Sequence, residues 1–240
     1  MTFTDVVTRL EHGLRRELPG PEAQERLAPI PRREWPAGFN PARIRHAAGL
    51  LLVFPKTTIN AESAESAEHQ VQNTSLRVPR VLRSTSDQAH IVLTVRADKL
   101  RHGGQVSLPG GVVEPGETVE QAALREAHEE VALALAQVRV LGALTPLDIA
   151  VSGFRLHPVV AVTETPPRLT PADAEVARIL EVAVDDLLDL SNFVRTRRER
   201  DGVGYVVPAF RVCGHEIWGA TAMVLAEFLA ILGVPGKKSA

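Results

Sequence analysis

The chain has 240 residues, with 45% hydrophobic and 23% charged side chains. That suits one soluble globular domain able to bury its own core. A formal net charge of −2 excludes a strongly basic nucleic-acid binder, and a single cysteine, Cys213, excludes an internal disulfide. No apolar run reaches the ~20 residues of a membrane span, and the N-terminus lacks the pattern of a secretory signal. A cytoplasmic protein is expected, with no nucleic acid or membrane as partner.

In chain order, Phe3, Val6, Val7, Leu10, Leu14 and Leu18 recur at helical spacing, and Pro19-Gly20 stops that helix. A proline-rich extended arm follows to Pro41. The AAGLLLVF run, Ala47 to Phe54, and the HIVLTVR run, His90 to Arg96, read as buried strands. Between them the polar stretch near 57–89 reads as an insertion at a hairpin tip. Gln105 to Glu117 is rich in turn residues, and a helix follows from Thr118 to Leu133. Strands are expected at 138–144 and 156–162, and a strand passing into a short acidic helix at 181–190. Tyr205 to Cys213 reads as two edge strands broken at Pro208. Trp218 to Leu232 reads as a final helix. The domain organisation expected is an N-terminal helix and arm over 1–45, one main domain over 46–235, and a disordered tail over 236–240. The N-terminal helix and arm are available to a homodimer. Cys213 reads as a buried strand residue, His128 as an exposed helix residue, and Arg195 to Arg200 as a solvated turn.

The chemistry concentrates between Gly111 and Leu133. Thr118 and Gln121 have capping-box spacing. Glu126, Glu129 and Glu130 recur at i, i+3, i+4, which puts three carboxylates on one helix face. Like charges so placed repel, and a divalent cation reverses that sign; magnesium takes oxygen ligands and bridges carboxylates to phosphates. A glycine-rich loop precedes the helix, and its backbone can approach a ligand closely.

This segment resembles the Nudix hydrolase signature, G-x5-E-x7-R-E-U-x-E-E-x-G-U, where U is bulky and apolar. Gly111, Glu117, Arg125-Glu126 and Glu129-Glu130 occupy its fixed positions. Six such matches arise by chance at about 10⁻⁷ per starting point. Ala127 and Ala132 depart from it, at a bulky position and at the late glycine. The resemblance implies an α/β (α+β) fold, the Nudix α/β/α sandwich with a mixed sheet between helices. It implies hydrolysis of a diphosphate joined to another moiety. It implies that Glu126, Glu129, Glu130 and the Gly110 carbonyl hold Mg²⁺ or Mn²⁺, with Glu117 and Arg125 paired to fix the loop. The general base in such sites comes from the helix or from a distant loop, and Glu175 is the candidate there.

Leu93 to Gly111 is similar to the motif of the coenzyme A pyrophosphatase branch, L-L-T-x-R-S-x3-R-x-H-x-G-Q-x-x-F-P-G-G. Leu93, Thr94, Arg96, Arg101, His102, Gly104, Gln105, Pro109, Gly110 and Gly111 fit it. Val92 and Leu108 depart from it, and the stretch between Arg101 and Gln105 is one residue shorter. Arg96, Arg101, His102, Gln105, Gly110 and Gly111 are the substrate-binding candidates. Coenzyme A carries a 3′-phosphate besides its diphosphate, and arginine's rigid fork suits that extra charge. Other Nudix substrates, ADP-ribose or NADH among them, and a non-catalytic nucleotide-binding module are the alternatives.

Overall fold

Residues 1–59, 85–98, 103–200 and 202–233 are described in the computed structural model. The polar stretch at 60–84 and the expected tail at 236–240 lie outside them. β1 (Arg45–Ile59) and β2 (Thr85–Arg96) pair antiparallel from Ile59 and Thr85 to Val53 and Ile91. Past that point they separate, and residues 106–112 fill the gap. β3 (Val106–Ser107) pairs with β2, β4 (Gly110–Val112) pairs with β1, and the Leu50 amide donates to the Pro109 carbonyl at 2.8 Å. On the far side of β1 runs β7 (Phe154–Val162), parallel to it. β5 (Arg139–Ala143) and β6 (Leu147–Ile149) pair antiparallel with β7, and β8 (Val176–Ala183), which leads into the short helix α4 (Val184–Leu188), with β2. The result is a mixed sheet, strands buried on both faces reading as continuous apolar runs.

Alternation along β1 sorts the core into two layers. Leu50, Leu52 and Phe54 face α3 (Val119–Val131), which brings Ala122, Ala123 and Ala127 against them. Leu51 and Val53 face the opposite layer, with α1 (Phe3–Gly13), α5 (Ala220–Ile231) and a second, three-stranded sheet. This is the expected mixed sheet between helices. The second sheet, β9 (Phe193–Arg200), β10 (Val203–Val212) and β11 (His215–Trp218), was not expected from the sequence.

Several local expectations are corrected. The first helix ends at Gly13, and Gly20, expected as its stop, opens α2 (Gly20–Glu25) inside the supposed extended arm. The cause is long-range. Glu227 on α5 is fully buried and accepts from the Gly20 amide at 3.1 Å, Gln24 Nε2 at 2.9 Å and Thr145 Oγ1 at 2.6 Å. Arg195 to Arg200 is strand β9, not a turn. Pro208 does not break Tyr205 to Cys213, because β10 runs through it as the middle strand. Val206 bonds Ile30 on the side away from β9, and β11 joins that side only at Ala209. By alternation the Pro208 nitrogen faces the gap between them, where no donor is needed. Cys213 is exposed in the β10–β11 turn at φ 51°, and Trp218 closes β11 instead of opening the last helix. α1 buries Phe3, Val6 and Leu10 within its own chain. No described helix is long and apolar enough to cross a membrane.

Candidate active site

The site starts where β4 wedges between the central strands. Gly110 pairs with Gly49 and Gly111 with Ala48. A Cβ on Gly110 would run into the Ala48 carbonyl, and one on Gly111 into the Glu126 carboxylate. Only glycine lets the helix carboxylate approach this backbone. Thr118 caps α3 through a complete capping box with Gln121, Thr118 Oγ1 accepting from the Gln121 amide at 3.2 Å. The cap fixes where the helix begins, and so which turn carries the glutamates.

Arg125 is the hub. Its Nε and one terminal nitrogen donate to Glu117 at 2.9 and 3.1 Å, and that second nitrogen also reaches the Val112 carbonyl at 3.0 Å. The other terminal nitrogen donates to Glu126 at 2.8 Å and Glu129 at 3.0 Å. One rigid fork therefore ties the loop to the helix and offsets part of the charge of three carboxylates. The Arg125 hydrogen bonds hold the Glu117 carboxyl below the ordinary carboxylate range.

Glu130 points the other way, into the fold. Only 7% exposed, it accepts from the Gly110 amide at 3.1 Å. Burial pushes its carboxyl up to about 7; the Gly110 hydrogen bond opposes the rise, and Glu126 and Asp173 add to it. The three glutamates thus share a helix face, yet Glu126 and Glu129 turn to Arg125 and Glu130 to the Gly110 amide. Among the described residues no three carboxylate, imidazole or thiolate groups converge as a ready-made cation cage.

A distant loop completes the surroundings. The Thr170 amide donates to the Val131 carbonyl and the Ala172 amide to that of Glu130, which seats residues 170–175 on the end of α3. Glu175, the sequence candidate for a base, is half-exposed and bound to Arg96 at 2.8 Å. Asp173, which the sequence reading passed over, is the loop carboxylate that acts on Glu130. Its Oδ1 accepts from the amides of Glu175 and Val176, a turn bond of the kind an Asp in a Pro-Ala-Asp stretch signals. The His46–His157 contact was also missed, because its members lie 111 residues apart in sequence.

Of the upstream candidates, Arg96 ends β2, and its charge favours ionisation of Glu130. Gln105 sits beside it, its carbonyl accepting from the Arg96 amide at 2.9 Å. Arg101 and His102 fall outside the described residues. Leu108 and Val92, the two departures from the upstream motif, are core residues. Ala127 is fully buried against the sheet, where a small side chain lets α3 lie close. Ala132 holds the left-handed conformation at the helix end, φ 53° and ψ 33°, where the signature has glycine. His128 is exposed, its Nδ1 3.0 Å from the Leu133 carbonyl.

Comparison with known proteins identifies the family. The NUDIX domain family model matches residues 75–200, more than half of the chain. The uncharacterized Nudix hydrolase NudL of Pectobacterium atrosepticum is 35% identical over 161 residues, covering 66% of this chain and 82% of its own. The NudL of Yersinia pestis is 37% identical over 137 residues, covering 56% and 68%. Among solved structures, the Nudix hydrolase RenU of M. smegmatis matches at a TM-score of 0.42 and 27% identity, over 60% of this chain and 74% of that one. The chain belongs to the Nudix family and is a pyrophosphohydrolase of that family.

Proposed function

We propose that this chain hydrolyses the diphosphate of coenzyme A or its derivatives, releasing 4′-phosphopantetheine and adenosine 3′,5′-bisphosphate. The observation that carries the reading is Arg96. Its guanidinium stands at the end of β2, paired with Glu175 at 2.8 Å, and its charge also acts on Glu130. A fixed cation next to the carboxylate site is what a substrate with an additional phosphate dianion requires.

Glu126, Glu129, Glu130 and the Gly110 carbonyl would hold Mg²⁺ or Mn²⁺. The all-oxygen donor set suits a hard cation, and the missing Cβ of Gly111 leaves Glu126 access to the loop backbone. When bound, such an ion neutralises the diphosphate and lowers the pKa of a water. The chain's own groups do the rest. Arg125 and Glu117 hold the loop against the helix. Gly110 and Gly111 let β1 and the Glu126 carboxylate close on the loop backbone. Asp173 and Glu175, on the loop seated against α3, are the candidates to accept the proton that the attacking water gives up. The water oxygen joins one phosphorus as the bridging P–O bond breaks, and the leaving phosphate departs with the bridging oxygen.

The test is a parallel incubation with coenzyme A, dephospho-coenzyme A, ADP-ribose and NADH in the presence of Mg²⁺ or Mn²⁺, with products identified by mass. Adenosine 3′,5′-bisphosphate formed fastest from coenzyme A is the expected result. Faster cleavage of ADP-ribose or NADH would discard the coenzyme A reading and leave the Nudix chemistry in place.

A further inference from the structure

A second group of titratable side chains lies on the sheet face that α3 covers, across Ala48 from Gly111. β1 and β7 run parallel with His46 opposite Arg155 and Ala48 opposite His157, so the two histidines are diagonal neighbours on one sheet face. Their rings stack with centroids 5.1 Å apart and planes at 28°. Nδ1 of His46 and Nε2 of His157 are 2.8 Å apart. The backbone beneath is fixed on both sides: β7 pairs with His46 on one edge, and the His46 carbonyl accepts from the Val113 amide on the other.

We propose that His46 and His157 form a two-imidazole chelate for a borderline divalent transition metal such as Ni²⁺, Zn²⁺ or Cu²⁺, with no ligand shared with the glutamates of α3. Metal–imidazole bonds of about 2.0–2.1 Å place two cis nitrogens about 2.9–3.4 Å apart. The observed 2.8 Å is only about 0.1 Å short of that range, so a small ring movement suffices. In the neutral pair one facing nitrogen carries a proton; binding needs that proton to move to the same ring's outer nitrogen, which leaves two lone pairs facing the ion. Burial, then the neighbouring His46 and Arg155, hold the His157 imidazole below its ordinary range, which favours the neutral ligand form. Arg155, on the same face, is matched by Asp148 through contacts of 2.6 and 3.0 Å. Water would fill the remaining coordination positions. Hard Mg²⁺ has little affinity for imidazole, so the two sites select different ions.

The test titrates the full-length chain with Ni²⁺ by calorimetry under saturating Mg²⁺, which occupies oxygen ligands. One equivalent of Ni²⁺ is expected. His46→Gln and His157→Gln should each weaken it at least about tenfold, because a chelate becomes a single imidazole. Glu129→Gln should leave it unchanged. Both histidine variants keep a polar side chain, and His46 is exposed, so circular dichroism should show an intact fold. Unchanged Ni²⁺ binding in both histidine variants, or no binding by the parent chain, would overturn the proposal.

Discussion

Arg125 grips Glu117 through two nitrogen–oxygen contacts of 2.9 and 3.1 Å, and the same guanidinium also reaches Glu126 and Glu129. A single planar group thereby sets the distance between the glycine loop and the helix. Lysine keeps the charge but loses the fork. Arg125→Lys should therefore fold normally while turnover falls by about 10²-fold, the scale expected when reacting groups shift by an ångström. Steady-state kinetics on the purified variant checks this; turnover within twofold of the parent would contradict the positioning role.

Glu130 predicts a pH dependence. Its carboxyl titrates at about 7 in the folded chain against an ordinary 4.5, because it is buried. The folded state therefore binds more protons than the unfolded state between those two values. Stability of the metal-free protein should fall as pH rises through that window, by up to about 3 kcal/mol. Denaturant midpoints measured in chelator from pH 4.5 to 7.5 read this slope. Glu130→Gln should flatten it, and an unaltered slope in that variant would assign it to other groups.

Ala132 pays for a left-handed backbone that glycine adopts freely. Ala132→Gly should raise stability by about 1 kcal/mol, read as a shift in thermal midpoint. A loss of stability would mean that the Ala132 methyl makes a contact worth more than the strain.

Glu227 binds α5 to α2 and to Thr145 from a fully buried position. Glu227→Ala would strand the Gly20 amide and the Gln24 and Thr145 donors, and should cost about 3 kcal/mol by chemical denaturation. An effect below about 1 kcal/mol would show that water replaces the carboxylate readily.

The signature helix was legible in the sequence because its determinants are local. Thr118 and Gln121 fix its start, and 3.6-residue periodicity fixes which glutamates share a face. The strands around Leu50 and Val92 were legible because both their faces are buried, so the run is apolar throughout. What was missed is non-local. α2 follows a residue pair, Pro19-Gly20, that locally reads as a stop, and it is held by Glu227 from the far end of the chain. Pro208 reads as a strand breaker until Ile30 and β11 are seen to leave a gap at its nitrogen. Asp173 joins the site because the loop bearing it is hydrogen-bonded to the end of α3, which no spacing in sequence encodes.

The proposed substrate carries a 3′-phosphate, which Arg96 and Arg101 are proposed to recognise. Comparing kcat/KM for coenzyme A and dephospho-coenzyme A, in the parent chain and in Arg96→Ala and Arg101→Ala, tests it most directly. The parent should favour coenzyme A by about tenfold or more, equivalent to ~1.4 kcal/mol of phosphate recognition, and at least one arginine variant should erase most of that preference. Equal efficiency on both substrates in the parent chain would contradict the claim.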